Sequence, residues 1–172
     1  MSWTGREWGG DQDTVAALEA FGPPPWINPR AFGLLRRATR KFEAPRIDPA
    51  PSDWWQPAAG YDSPSYRADY EAGEEYSYLQ FVGLTGDGIL AQLDLYKLGT
   101  RFELPVFMLQ GEEDLVTTPE IARAWFDRVT APRKAFVLLA RTGHDPNRTM
   151  IAAQLEILRT RVRAEAIESD GR

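Results

Sequence analysis

The chain holds one histidine, His144, in the run Thr142-Gly143-His144-Asp145-Pro146. Thirty positions upstream lies an acidic loop, Gly111-Glu112-Glu113-Asp114. A carboxylate that orients an imidazole and stabilises its protonated form makes up two-thirds of a nucleophilic triad. Any of Glu112, Glu113 and Asp114 could supply that carboxylate. A metal site built from Glu112, Asp114, His144 and Asp145 lacks a recognised ligand spacing, having one histidine and no cysteine.

The surrounding elements decide whether these residues can meet. Pro105 to Gln110 is a short apolar run closed by Gly111, as suits a buried parallel strand. Thr118 is placed to cap a helix that opens on Pro119, with Glu120 favourable in its first turn. Ile121, Ala124, Trp125 and Val129 recur at helical spacing and give that helix a core face. Ala135 to Ala140 reads as a second strand. Asp145-Pro146 then starts a last helix, with Asp145 as its cap and Met150, Ile151, Leu155, Leu158 and Val162 inward. Strand, helix and strand in this span form a βαβ unit with parallel strands, so both loops emerge at the same sheet edge. Open α/β sheets place their chemistry beyond the carboxyl ends of the strands, which brings His144 and the acidic loop to one crevice.

With these residues in place, PVFMLQGEEDLVTTPEIARAWFDRVTAPRKAFVLL followed by TGHDP resembles the C-terminal half of an α/β-hydrolase, most like the proline iminopeptidase group of serine peptidases. The resemblance covers positions 104 to 163, and positions 13 to 100 resemble that group's helical cap more loosely. It implies that Asp114, in a Gly-x-x-Asp loop, is the triad acid and His144 the base. It also implies a role for Glu75. The stretch Ala72-Gly-Glu-Glu75-Tyr-Ser-Tyr78 resembles a cap motif whose glutamate receives the substrate's free amino group, and an ammonium leaving water needs such a partner. Trp54, Trp55, Tyr76, Tyr78 and Phe81 would suit a proline ring or another apolar acyl group. Taken alone, the Trp54-Trp55 pair could line a pocket or bury its rings to pin a loop.

The chain departs from that family in one respect. The nucleophile belongs in a Gly-x-Ser-x-Gly turn, and none of Ser2, Ser52, Ser63, Ser65, Ser77 and Ser169 stands in one. There is no cysteine and no upstream His-Gly-Gly loop. Ser63 and Ser77 do not sit on a strand-to-helix elbow.

The rest of the chain reads as helices and loops. Asp13 could cap a helix over Thr14 to Phe21, with Val15, Leu18 and Phe21 inward, before the Pro23-Pro24-Pro25 connector. A second helix starts at Asn28-Pro29 and carries Phe32, Leu35, Thr39 and Phe42 on one stripe. Positions 45 to 64 are proline-rich and irregular. Ser63-Pro64 opens another helix, interrupted at Gly73, and a further one covers Gly88 to Leu98. The Gly83 to Gly88 stretch has no phosphate-loop order and reads as a turn. Only two strands emerge, and a two-stranded parallel sheet needs further partners to bury its faces.

Composition fits a globular protein, with 43% hydrophobic and 26% charged residues. A formal charge of -5 gives no support for a nucleic-acid surface, and Arg36, Arg37, Arg40 and Lys41 read as a solvated helix face. No apolar run approaches the roughly 20 residues of a membrane span, and Met1 to Gly10 lacks the apolar core of a secretory leader. The expectation is an α/β protein with an incomplete α/β-hydrolase fold: a helical cap over 1–103, then the βαβα end of a hydrolase core over 104–172. It would be a cytoplasmic serine hydrolase of prolyl aminopeptidase type, without cofactor or metal, acting on small peptides, amides or esters. It would be silent without the nucleophile-bearing N-terminal half, and its expected partners are such a complementing half or a second copy in a homo-oligomer. The alternative is a non-catalytic interaction fragment that pairs with another chain.

Overall fold

A carboxylate opens the first helix. In the computed structural model, which describes residues 11–22 and 29–163, Asp11 accepts the Thr14 amide at 3.2 Å and the Thr14 hydroxyl at 2.8 Å, capping helix α1 (Gln12–Glu19). The expected cap, Asp13, lies two residues further on, within the first turn, where its charge favours the helix N-terminus instead. The proline run at 23–25 and Asn28 lie outside the described residues. Helix α2 (Pro29–Glu43) ends at Ala44-Pro45 as its sequence dictates. Leu18 and Ala38 form a small core with Val15, Leu34, Leu35 and Phe42 packed against it. Lys41 reaches back 2.5 Å to Asp11 and ties the two helices together.

The described residues divide into two compact units. The first takes the chain up to Phe42 with Trp55–Asp94, and the second takes Glu43–Trp54 with the chain from Leu95 onward. The first unit continues with helix α3 (Pro64–Val82), capped by Ser63, and the single turn α4 (Ile89–Gln92). Helix α3 runs through Gly73 without interruption. A glycine costs about 1 kcal/mol against alanine, too little to break a helix flanked by Glu71, Ala72, Glu74 and Glu75. Positions 83–88 form the expected turn, in which Gly83 ends α3 at φ +80° and the Gly88 amide donates to the Val82 carbonyl. The single helix expected over 88–98 is instead two turns, α4 and α5 (Leu95–Leu98), parted where Leu93 turns extended.

The second unit is built on a two-stranded parallel sheet, β1 (Val106–Gly111) and β2 (Lys134–Leu139), paired in register from Val106–Lys134 to Gly111–Leu139. Helix α6 (Pro119–Arg128) joins them, and helix α7 (Arg148–Ile157) follows β2, continued by a wider turn over Leu158–Val162. Strand pleating sets Met108, Gln110, Phe136 and Leu138 on one face and Phe107, Leu109, Ala135 and Val137 on the other. Phe136 packs on Phe126 of α6 with ring centres 5.4 Å apart, while Phe107 lies under Arg161 beyond α7. Each face therefore meets one helix. Lys134 donates to the carbonyls of Phe126, Asp127 and Val129 at 3.2, 3.3 and 2.7 Å, closing the end of α6 with a cation.

Two expected core faces are drawn differently. On α6 and the residue that ends it the buried positions are Phe126 and Val129, while Ile121 and Ala124 are exposed. On α7 and its continuation Ile151, Leu155, Leu158 and Val162 are all more than two-fifths exposed. One helix per sheet face does not supply enough surface to cover these stripes. Among the described residues no helix is long and apolar enough to cross a membrane.

The Lys41 bond, followed by those of Thr14, holds the Asp11 carboxyl down at about 2, below its ordinary 3.8. A folded value below the unfolded one stabilises above the unfolded pKa and is lost as pH falls through the folded one. Asp11→Asn is therefore expected to lower the melting temperature at pH 7, with the gap to wild type closing between pH 3.8 and 2, as scanning calorimetry across that range would measure.

Candidate functional site

Beyond the last ladder pair the two strand-end loops stay in contact. The Glu112 amide donates to the Leu139 carbonyl and the Glu113 amide to the Thr142 carbonyl, both at 2.9 Å. A Cβ on Gly111 would stand 2.4 Å from the carbonyl oxygens of both Thr142 and Gly143, so only glycine lets the backbones approach this closely. Gly143 is also enclosed. The topology thus presses the acidic loop and the histidine loop together, as the βαβ order requires.

Asp114 is 5% exposed and saturated with donors. Its Oδ1 accepts the amides of Val116 and Thr117 at 2.8 and 2.9 Å. Its Oδ2 accepts the Thr117 hydroxyl at 2.8 Å and the Gln110 side-chain amide at 3.2 Å. His144 completes the set, with Nδ1 at 3.2 and 3.1 Å from the two oxygens. Burial on its own pushes this carboxyl up, but the bonds from Thr117, Val116 and His144 outweigh it and hold the group below its ordinary value. At neutral pH Asp114 is thus an anion that can only accept, so Nδ1 of His144 must donate. The ring's lone pair in the neutral form then lies on Nε2, for which the described residues provide no hydrogen-bond partner. The ring is 35% exposed.

The histidine loop is held by groups far away in sequence. Asp48 and Arg141 form an ion pair at 2.7 Å, and the Asp48 amide donates to the Arg141 carbonyl at 2.8 Å. Arg141 takes a left-handed backbone, φ +53°, that these contacts maintain. Asn147, 2% exposed, caps α7 by accepting the Met150 amide at 3.0 Å and donates to the carbonyls of Asp48 and Arg141. Asp145 was the expected cap. The position instead needs an acceptor and a donor on one short side chain, which asparagine has and aspartate lacks. Thr118 sits at the α6 cap but makes no capping bond with its side chain.

Of the remaining sequence-predicted residues, Trp55, Glu75 and Tyr78 belong to the first unit and Trp54 to the second. Glu75 and Tyr78 line a groove on α3 of the first unit, with Glu71, Glu74 and Leu79. Trp55 of the same unit does not line it, and Trp54, also expected beside these residues, belongs to the second unit. Both rings are exposed, Trp54 at 37% and Trp55 at 59%, so neither pins its loop by burial, and Trp54 lies 6.0 Å from the Arg148 guanidinium. Tyr76 and Phe81 are exposed as well. Among the described residues no group of three or more histidine or acidic side chains could hold a metal ion.

Sequence reasoning missed Gln110, Thr117, Asn147 and Glu43. Gln110 was visible as the polar end of an apolar strand, and Thr117 as a hydroxyl three positions after an aspartate, a spacing that favours local turns. Glu43 carried no such signal. Its carboxylate binds the Leu115 amide 72 positions away.

In comparisons with known proteins the chain matches no family model, no curated protein and no solved structure.

Two outcomes follow from this geometry. Gly111→Ala should destabilise by about 3 kcal/mol or more, because backbone rather than a movable side chain fills the space, as urea unfolding would measure. Asp114→Asn should cost about 2–3 kcal/mol at pH 7 through the lost charged acceptor. Since the folded carboxyl lies below 3.8, that difference should persist above this pH and shrink in more acid solution.

Proposed function

We propose that this chain carries the acid and base of a serine hydrolase relay, in an incomplete α/β-hydrolase core, and that the nucleophile is brought by polypeptide outside these 172 residues. One observation carries the proposal: Nδ1 of His144 sits on both oxygens of the buried Asp114 carboxylate, at 3.1 and 3.2 Å. That contact fixes the tautomer with a basic Nε2 and stabilises the imidazolium once it forms. Nε2 would take the proton of a serine hydroxyl as its oxygen attacks the substrate carbonyl. It would then return that proton to the departing amine or alcohol.

Support for a missing part of the core comes from the sheet. Leu138 on one face of the sheet, and Ile151, Leu155, Leu158 and Val162 on the helix covering the other, are 42–53% exposed, apolar side chains that further strands and helices would bury. The substrate class follows the resemblance to proline iminopeptidases: short peptides with a free amino-terminal proline.

The same exposed surface favours a second reading, a non-catalytic module that binds another chain. Co-expression with the polypeptide encoded immediately upstream separates the two. The first reading expects release of p-nitroaniline from its proline amide, and labelling by a fluorophosphonate, from the pair and from neither part alone. His144→Ala should then lower turnover by about a thousandfold or more. Unchanged turnover in that variant would sink the assignment. A stable complex without turnover or labelling would leave the binding module.

A further inference from the structure

Among the described residues Glu43 is the most buried acid, at 2% exposure. It is the last residue of α2, and the hydrogen bonds of its carboxylate are made within the second unit. Its two oxygens serve different loops. Oε1 accepts the amide of Leu115, the residue after Asp114, at 3.0 Å, and Oε2 accepts the amide of His144 at 3.4 Å. A Cβ on Gly143 would lie 2.7 Å from Oε2, so the carboxylate rests directly on the histidine loop. The two bridged amides belong to the base itself and to the neighbour of the acid.

We propose that Glu43 is a positioning residue for the Asp114–His144 pair, a clasp whose carboxylate locks the acid loop and the base loop in the register that lets the imidazole reach Asp114. It rests on the acid–base reading of those two residues. The chemistry requires a carboxylate. Two acceptor oxygens without a donor satisfy two amides at once, whereas a glutamine offers one acceptor and turns its own N–H groups toward the second amide. Leaving either amide buried and unpaired would loosen its loop.

The test uses the full chain, labelled with ¹⁵N and ¹³C, and compares wild type with Glu43→Gln and Asp114→Asn. Imidazole nitrogen shifts report the tautomer of His144, and hydrogen exchange reports the two amides. In wild type the ring is expected as the Nδ1–H form, with the Leu115 and His144 amides protected. Glu43→Gln should speed exchange at these amides by about tenfold or more, the size of one charge-assisted hydrogen bond. The ring should lose its single tautomer, while amides inside α6 and β2 keep their protection. A Glu43→Gln chain with unchanged tautomer and exchange overturns the clasp. Asp114→Asn separates the two claims: a ring indifferent to it overturns the acid–base reading, whereas a ring that responds to it but not to Glu43→Gln overturns the clasp alone. Should Glu43→Gln not fold, an acid titration of wild type decides. The Leu115 and His144 amide resonances are expected to follow the Glu43 carboxyl carbon, and amides that do not follow it overturn the clasp.

Discussion

A carboxylate removed from water must be surrounded by donors, and much of the second unit is arranged around that demand at Asp114. Two backbone amides, a hydroxyl, a carboxamide and an imidazole converge on it. Each donor imposes a condition. The amides of Val116 and Thr117 fix the turn that leads into α6. Gln110 must stand at the end of β1, on the face that meets the loop. His144 must arrive from the far strand, which requires parallel pairing and a glycine at 111 so that the backbones can touch. Deleting the charge would remove the reason for several of these features at once, because an unmatched buried anion is far more costly than an exposed one.

What the sequence revealed and what it hid follow from the range of the forces involved. The βαβ order and the meeting of Asp114 with His144 were legible, since both rest on apolar runs and on topology. Each strand boundary shifted by one residue, for identifiable reasons. Pro105 has no amide to give to a ladder, so β1 begins at Val106. Lys134 joins β2 although it is charged, because its head reaches away to the carbonyls of α6. Helix caps were misassigned between neighbouring candidates, Asp13 for Asp11 and Asp145 for Asn147. Several residues of similar propensity stood within reach, and only a distant partner, Lys41 or the Asp48 carbonyl, selected among them. The long-range polar contacts of Glu43 and Asp48 were not legible, because partners 72 to 101 positions apart leave no local pattern.

The exposure of α7 marks the limit of what two strands can achieve. A parallel sheet normally hides both faces and tolerates near-continuous apolar strands only because helices cover them. Here the strands have that composition, and the pairing register is fully formed, yet their central residues are only partly buried. Register is set by backbone pairing and by the loops at the strand ends. Burial depends on how many neighbours the sheet acquires, so the site's geometry and the core's completeness are separate properties of this chain.

Lys134 gives the unit a mechanical coupling. As the first residue of β2 it pairs with Val106 through its backbone, while its ammonium group closes the last turn of α6. The cation leaves the helix end if the strand peels away, and the strand loses its anchor if the helix unwinds. Helix and strand must therefore open together as one cooperative segment rather than fray one after the other. A fluctuation that lifts Lys134 away from Val106 would thus be felt at the C-terminal end of α6 as well as in the sheet.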